Sequence, residues 1–212
     1  ALAQALSARG HDVRRDAQAV AEGSERIQAA LLVLSQAHGP SDLTVPSLSL
    51  GSVLRRLDRG ARVVAVSRAA EGVAAGSAVE AGTESVRRNA ARQGAVGLVR
   101  SLAQEMRGGA TANGIVVAEG IAVDAPSVLG GLDFLLSGRS AFVSGQFLPV
   151  TSEAGPASLA QAALGETPLE GRVIVVTGAA RGIGEQIARL LHAQGAQVVP
   201  IDVPAAGDAL AK

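Results

Sequence analysis

The chain has no cysteine, no tyrosine and no tryptophan, and only three phenylalanines and one methionine in 212 residues. Without cysteine there is no disulfide framework, no thiolate chemistry and no Cys-based metal site. Without tyrosine, no phenol of this chain can donate a proton. Histidine is scarce as well: His11, His38 and His192 are scattered and form no metal cluster. Charge of one sign is missing, because Lys+Arg and Asp+Glu both number 19 and the formal net charge is zero. That removes the electrostatic case for nucleic acid or an anionic membrane as a partner. No apolar run approaches the roughly 20 residues that a membrane helix needs, and no signal peptide is visible. Hydrophobic residues make up 48% of the chain, enough for a sizeable core in one large domain or two small ones.

The most informative stretch lies near the end. Arg172 to Val176 is rich in β-branched residues and reads as a buried strand. Thr177 to Gly184 then places glycines at 178, 182 and 184. Glu185 to Gln194 carries Ile187, Ala188, Leu190 and Leu191 at helical spacing, and Gly195 ends the helix. A second strand, Gln197 to Ile201, closes on Asp202. Strand, glycine turn, helix, strand and acid make the first half of a dinucleotide fold. Gly178 allows a tight turn, while Gly182 and Gly184 remove Cβ atoms where a pyrophosphate and the strand approach the backbone. The helix offers its N–H groups and the positive end of its dipole to phosphates. Asp202, 18 residues beyond Gly184, stands where an acid accepts bonds from the adenosine ribose. The predicted cofactor-binding residues are therefore Thr177, Gly178, Arg181, Gly182, Ile183, Gly184, Asp202 and Val203.

Earlier in the chain strands and helices alternate. Ala1 to Arg9 reads as a short helix and His11 to Arg15 as a short strand. Ala29 to Leu34 reads as a central strand, Leu48 to Leu57 as a helix and Ala61 to Val66 as the next strand. Residues 67–82 read as a loop. Thr83 to Met106 is predicted to be one long helix with its apolar stripe through Val86, Ala90, Ala95, Leu98, Leu102 and Met106. A strand at Ile115 to Val117, a helix at Val128 to Leu136 and a strand at Gln146 to Val150 follow. The alternation argues an α/β fold, a Rossmann-like or flavodoxin-like parallel sheet with helices on both faces, followed by the first β-α-β of a second Rossmann domain. The expected division is a degenerate Rossmann-like domain at 1–150, a linker at 151–170 and the start of a dinucleotide-binding domain at 171–212. With two strands used ten residues before the chain stops, the sequence is expected to be a fragment.

The order Thr177-Gly178-x-x-x-Gly182-Ile183-Gly184 resembles the short-chain dehydrogenase/reductase family. The wording PLEGRVIVVTGAARGIGEQIARLL is most similar to its β-ketoacyl-ACP reductase branch, over about residues 168–212. Two earlier stretches are similar to the family's later half: Gly94 to Met106 to the helix after its Tyr-x-x-x-Lys, and Leu135 to Val150 to its C-terminal loop and last strand. By that register the family's lysine falls on Arg92 and its tyrosine on Arg88. An arginine stays protonated and cannot act as the acid. Arg88 and Arg92 share a helix face and read as a solvated pair. Ser67 lies where a catalytic serine would be sought, and Ser35-Gln36-Ala37-His38-Gly39 replaces an Asn-Asn-Ala-Gly-like turn. No catalytic residue is assigned.

The whole resembles the long, high-molecular-weight β-ketoacyl reductases, in which a flavodoxin-like domain precedes the ketoreductase domain. The resemblance implies a cytoplasmic homo-oligomer, a dimer or tetramer, that takes part in fatty acid biosynthesis. Hydride would pass from a nicotinamide cofactor to a 3-oxoacyl thioester on ACP or CoA, with the proton from a tyrosine outside these residues. The alternative is a non-catalytic interaction or oligomerisation domain joined to a dinucleotide-binding segment. For the cofactor, Arg181 in the turn favours the 2′-phosphorylated form and Asp202 opposes it. Two unit charges about 4 Å apart repel by roughly 4 kcal/mol at an effective dielectric of about 20. No Arg or Lys follows Asp202 until Lys212, so NAD is expected over NADP.

Overall fold

The computed structural model describes residues 2–70, 83–154, 167 and 169–207. The chain forms two units, Ala1–Gly155 and Pro156–Lys212. Of the proposed linker, residues 155–166 and 168 lie outside the described residues, as do residues 71–82 of the predicted loop.

Among its described residues, the first unit holds four strands in sequential parallel order: β1 (Ile27–Val33), β2 (Leu57–Arg68), β3 (Thr111–Val117) and β4 (Phe147–Val150). Parallel neighbours need crossovers, and helices supply them. These are α3 (Thr44–Val53) between β1 and β2, α4 (Thr83–Glu105) between β2 and β3, and α5 (Pro126–Leu136) between β3 and β4. Two shorter helices, α1 (Leu2–Ala8) and α2 (Ala17–Glu22), precede the sheet.

Alternation along β2 explains the layering. Val64 and Val66 point to one face, into a cluster with Ile115, Val117, Leu2 and Leu6 of α1, and Val128, Leu132 and Leu135 of α5. Val63 and Ala65 point to the other, with Leu32, Leu50 and Val53 of α3, and Ala95 and Val99 of α4. Both faces of β2 are closed, so it reads as a continuous apolar run rather than an alternating one.

Four expectations for the first unit need correction. Residues 11–15 form no strand. Asp16 instead caps α2, its carboxylate accepting from the Gln18 and Ala19 N–H groups at 3.0 Å each. The helix expected at 48–57 runs from Thr44 to Val53, passes through a 3₁₀ turn at Leu54–Arg56 and gives way to β2 at Leu57. The buried face of α4 is Ala91, Arg92, Ala95 and Val99, whereas Val86 is 56% exposed. Of the predicted stripe, Ala95 lies in the core and Leu98, Leu102 and Met106 pack partly buried against it, while Val86 and Ala90 turn outward. Arg92 itself is buried, not solvated.

Among its described residues, the second unit holds β5 (Val173–Thr177), α6 (Gly182–Ala193) and β6 (Gln197–Ile201), with the two strands parallel and paired from Val173↔Gln197 to Thr177↔Ile201. β5 is not the buried strand expected at 172–176: one side of this sheet keeps Val173 and Val175 more than half exposed, and Val199 and Ile201 partly so. No helix among the described residues is long and apolar enough to cross a membrane.

Candidate dinucleotide site

β5 ends at Thr177 and the chain turns at Gly178, whose φ of 68° only glycine adopts without strain. A second left-handed glycine, Gly182 (φ 64°), opens α6 after Arg181 in extended backbone. A Cβ at either glycine would point into open space, so the outer side of the turn is clear for a ligand. Gly184 does the opposite job. A Cβ there would stand 2.7 Å from the Gly178 carbonyl carbon and closer still to its oxygen, so the first turn of α6 packs directly on the loop it leaves. These residues fit a pyrophosphate: a bare backbone, a clear approach and the first-turn N–H groups of a twelve-residue helix.

The other predicted residues lie around this turn. Ile183 is 82% exposed in the first turn of α6, and Val203 is 62% exposed just past β6. Asp202 follows β6 directly and is half-buried. Its Oδ2 accepts from the Ala180 N–H at 2.9 Å and its Oδ1 from the Val203 N–H at 2.8 Å. Those two bonds, that from Ala180 first, and then the charge of Arg181 hold its carboxyl below the ordinary carboxylate range. The charge of Arg181 thus acts on Asp202, although no Arg or Lys follows Asp202 before Lys212. One rung deeper, the Ala179 N–H donates to the Ile201 carbonyl at 3.3 Å. Ala179 and Ala180 were absent from the predicted site. The signal that could have found them is that an Asp side chain at a strand end seeks nearby backbone N–H groups.

At the carboxyl ends of the first unit's strands, the rim is filled by arginine. Arg92 donates through Nη1 to the Ala69 carbonyl at 2.7 Å and through Nη2 to Glu119 Oε2 at 3.0 Å. Arg68 donates to the carbonyls of Ala118 at 3.0 Å and Ile121 at 2.6 Å. Arg88, the position of the family's tyrosine by sequence register, is half-buried. Ser67 is 2% exposed within β2. In the turn after β1, Asp42 accepts from the N–H groups of His38 at 2.8 Å and Gly39 at 3.0 Å. These bonds, that from His38 first, lower its pKa. Among the described residues no group of three or more His, Asp or Glu could hold a metal ion.

Residues 172–211 match the short-chain dehydrogenase family. Over 44 residues, the chain is 59% identical to sex determination protein tasselseed-2 of Zea mays. The match takes in 20% of this chain and 13% of that protein's length. Among solved structures, BdcA in complex with NADPH is similar over 66% of this chain and 72% of its own, at 16% identity and a TM-score of 0.48. A putative gluconate dehydrogenase from Agrobacterium tumefaciens is similar over 70% and 78%, at 18% identity and a TM-score of 0.43. The short-chain dehydrogenase segment thus coincides with β5, α6 and β6, the part that carries the glycine turn.

Proposed function

We propose that this chain is part of a nicotinamide-dependent short-chain oxidoreductase that acts on a 3-oxoacyl thioester carried by ACP or CoA. One observation carries the cofactor half of the reading. Gly178 and Gly182 leave a clear, left-handed turn in front of α6, and Asp202 stands beside that turn. Thr177, Gly178, Arg181, Gly182, Ile183 and Gly184 would line the pyrophosphate and its approach. Asp202 and Val203 would receive the adenosine ribose. The nicotinamide supplies hydride when bound. The substrate half rests on the likeness of about residues 168–212 to β-ketoacyl reductases.

Within the first unit, Arg92 binds a backbone carbonyl and Glu119, and the chain contains no tyrosine. These residues therefore supply no proton to a carbonyl oxygen. The first unit acts as a non-catalytic partner that sets a dimer or tetramer, and the 212-residue chain alone does not turn over acetoacetyl-CoA.

Of the two cofactor forms, NAD(H) is favoured. The Asp202 carboxylate is held by two backbone N–H groups and cannot swing away from a 2′-phosphate. BdcA holds the phosphorylated form, so both arms belong in the test. Fluorescence titration with NADH and NADPH should give tighter NADH binding. Tighter NADPH binding overturns the preference, and binding of neither form overturns the cofactor reading. Reduction of acetoacetyl-CoA by the 212-residue chain would overturn its predicted inactivity.

A further inference from the structure

We infer that Asp202 is a positioning residue for the glycine turn, acting before any cofactor arrives. The inference rests on the dinucleotide reading above and adds to it a second task for the same carboxylate. The turn from Gly178 to Gly182 contains two left-handed glycines. Glycines lose the most conformational freedom on ordering, so something outside the turn must fix it. Two bonds to the end of β6 do so. The Ala179 N–H donates to the Ile201 carbonyl, which continues the pairing of β5 with β6 by one rung past Thr177↔Ile201. The Ala180 N–H donates to Asp202 Oδ2 at 2.9 Å, a link across 22 residues.

The second bond is the stronger, since a carboxylate acceptor makes a charge-assisted hydrogen bond. Its own geometry is locked as well, because Oδ1 accepts from the Val203 N–H. Ala179 and Ala180 are 5% and 8% exposed, so water does not readily replace the bond. Each carboxylate oxygen retains a further lone pair, which leaves acceptor capacity for ribose hydroxyls while the clamp stays closed. The residue that reads the ribose thereby also sets the shape of the turn that faces the pyrophosphate.

Amide hydrogen exchange on the full cofactor-free chain tests this, comparing the wild type with Asp202→Ala and Asp202→Asn. The Val176 and Val199 amides serve as internal references for folding. In Asp202→Ala the Ala180 amide should exchange at least about tenfold faster relative to those references. In Asp202→Asn, a neutral oxygen replaces the carboxylate and the exchange should rise about threefold. An unchanged Ala180-to-reference ratio in the alanine variant overturns the clamp. If the alanine variant loses strand protection too, the asparagine variant decides, and an unchanged Ala180 rate there overturns it. NADH titration of the same three proteins should show the alanine variant weakest and asparagine intermediate; an asparagine variant no better than alanine overturns the clamp. Failure of the wild type to bind NADH would sink the cofactor reading, while the exchange data would still judge the clamp.

Discussion

The two units use the same parallel β-α-β grammar and spend it differently. In the first, Val64, Val66, Ile115 and Leu132 have no measurable exposure, and the carboxyl rim of the sheet is filled by Arg68 and Arg92 bonding to backbone carbonyls and Glu119. In the second, the corresponding end of β5 is left open by Gly178 and Gly182, while Val173, Val175 and Ile183 stay exposed. A buried sheet and a ligand-ready strand end are therefore separable properties. The first needs apolar side chains on both faces of each strand. The second needs the absence of side chains at three loop positions and one acid across the turn.

Variants can break each unit without the other. The largest effect should come from Arg9→Ala. Its Nε lies 3.3 Å from Asp133 Oδ2, and the Asp133 side chain is only 1% exposed. Removing one partner of such a pair leaves a buried charge and costs about 3 kcal/mol. Denaturant unfolding should show that loss, with the NADH dissociation constant unchanged. Gly184→Ala should act the other way round. Its methyl would collide with the Gly178 backbone, and overpacking of about 2 kcal/mol corresponds to roughly thirtyfold weaker NADH binding. The first unit's unfolding midpoint should not move. Gly114→Ala comes next. A Cβ there would collide with the Phe147 ring, and because a side chain can yield where backbone cannot, about 1.5 kcal/mol is expected in unfolding experiments.

Acid should produce the smallest effect and touch both units at once. Asp42 and Asp202 both have folded pKa values below their ordinary 3.8. The stability each contributes is complete above 3.8 and is lost as pH falls through the lower folded value. Exchange of the His38, Gly39 and Ala180 amides should therefore stay slow relative to intrinsic rates down to about pH 4 and lose protection below it. Protection that disappears between pH 7 and 5 would rule these carboxylates out as its source.

Much of this could be read from residues alone, for reasons that differ by region. The β5–α6–β6 unit was legible because β-branched runs, glycine spacing and a helical apolar pattern all agree there. The alternation of the first unit was legible for the same cause. The end of α3 was misplaced because Leu54 and Leu57 continue a helical spacing while the backbone has already left the helix. Arg92 looked solvated because charge usually is, yet Glu119 and the Ala69 carbonyl, both distant in sequence, bond its two terminal nitrogens in a buried place. The bond from Ala180 to Asp202 joins a turn to a strand end 22 residues away. An Asp at a strand end signals that it will bond a backbone N–H, but no local pattern records which one.

The exposed apolar residues of β5, α6 and β6 also bear on how this chain responds to heat. Unfolding raises the heat capacity in proportion to the apolar surface it newly wets, about 0.45 cal/K/mol for each Å². The side chains of Val173, Val175, Ile183 and Leu190 are already 57–82% exposed, so melting this unit wets little that was dry. Its stability curve should consequently be shallow, changing gently with temperature and lacking a pronounced optimum. In a calorimeter nearly all of the heat-capacity step would belong to residues before Gly155, and the second unit would loosen across a broad range beneath it.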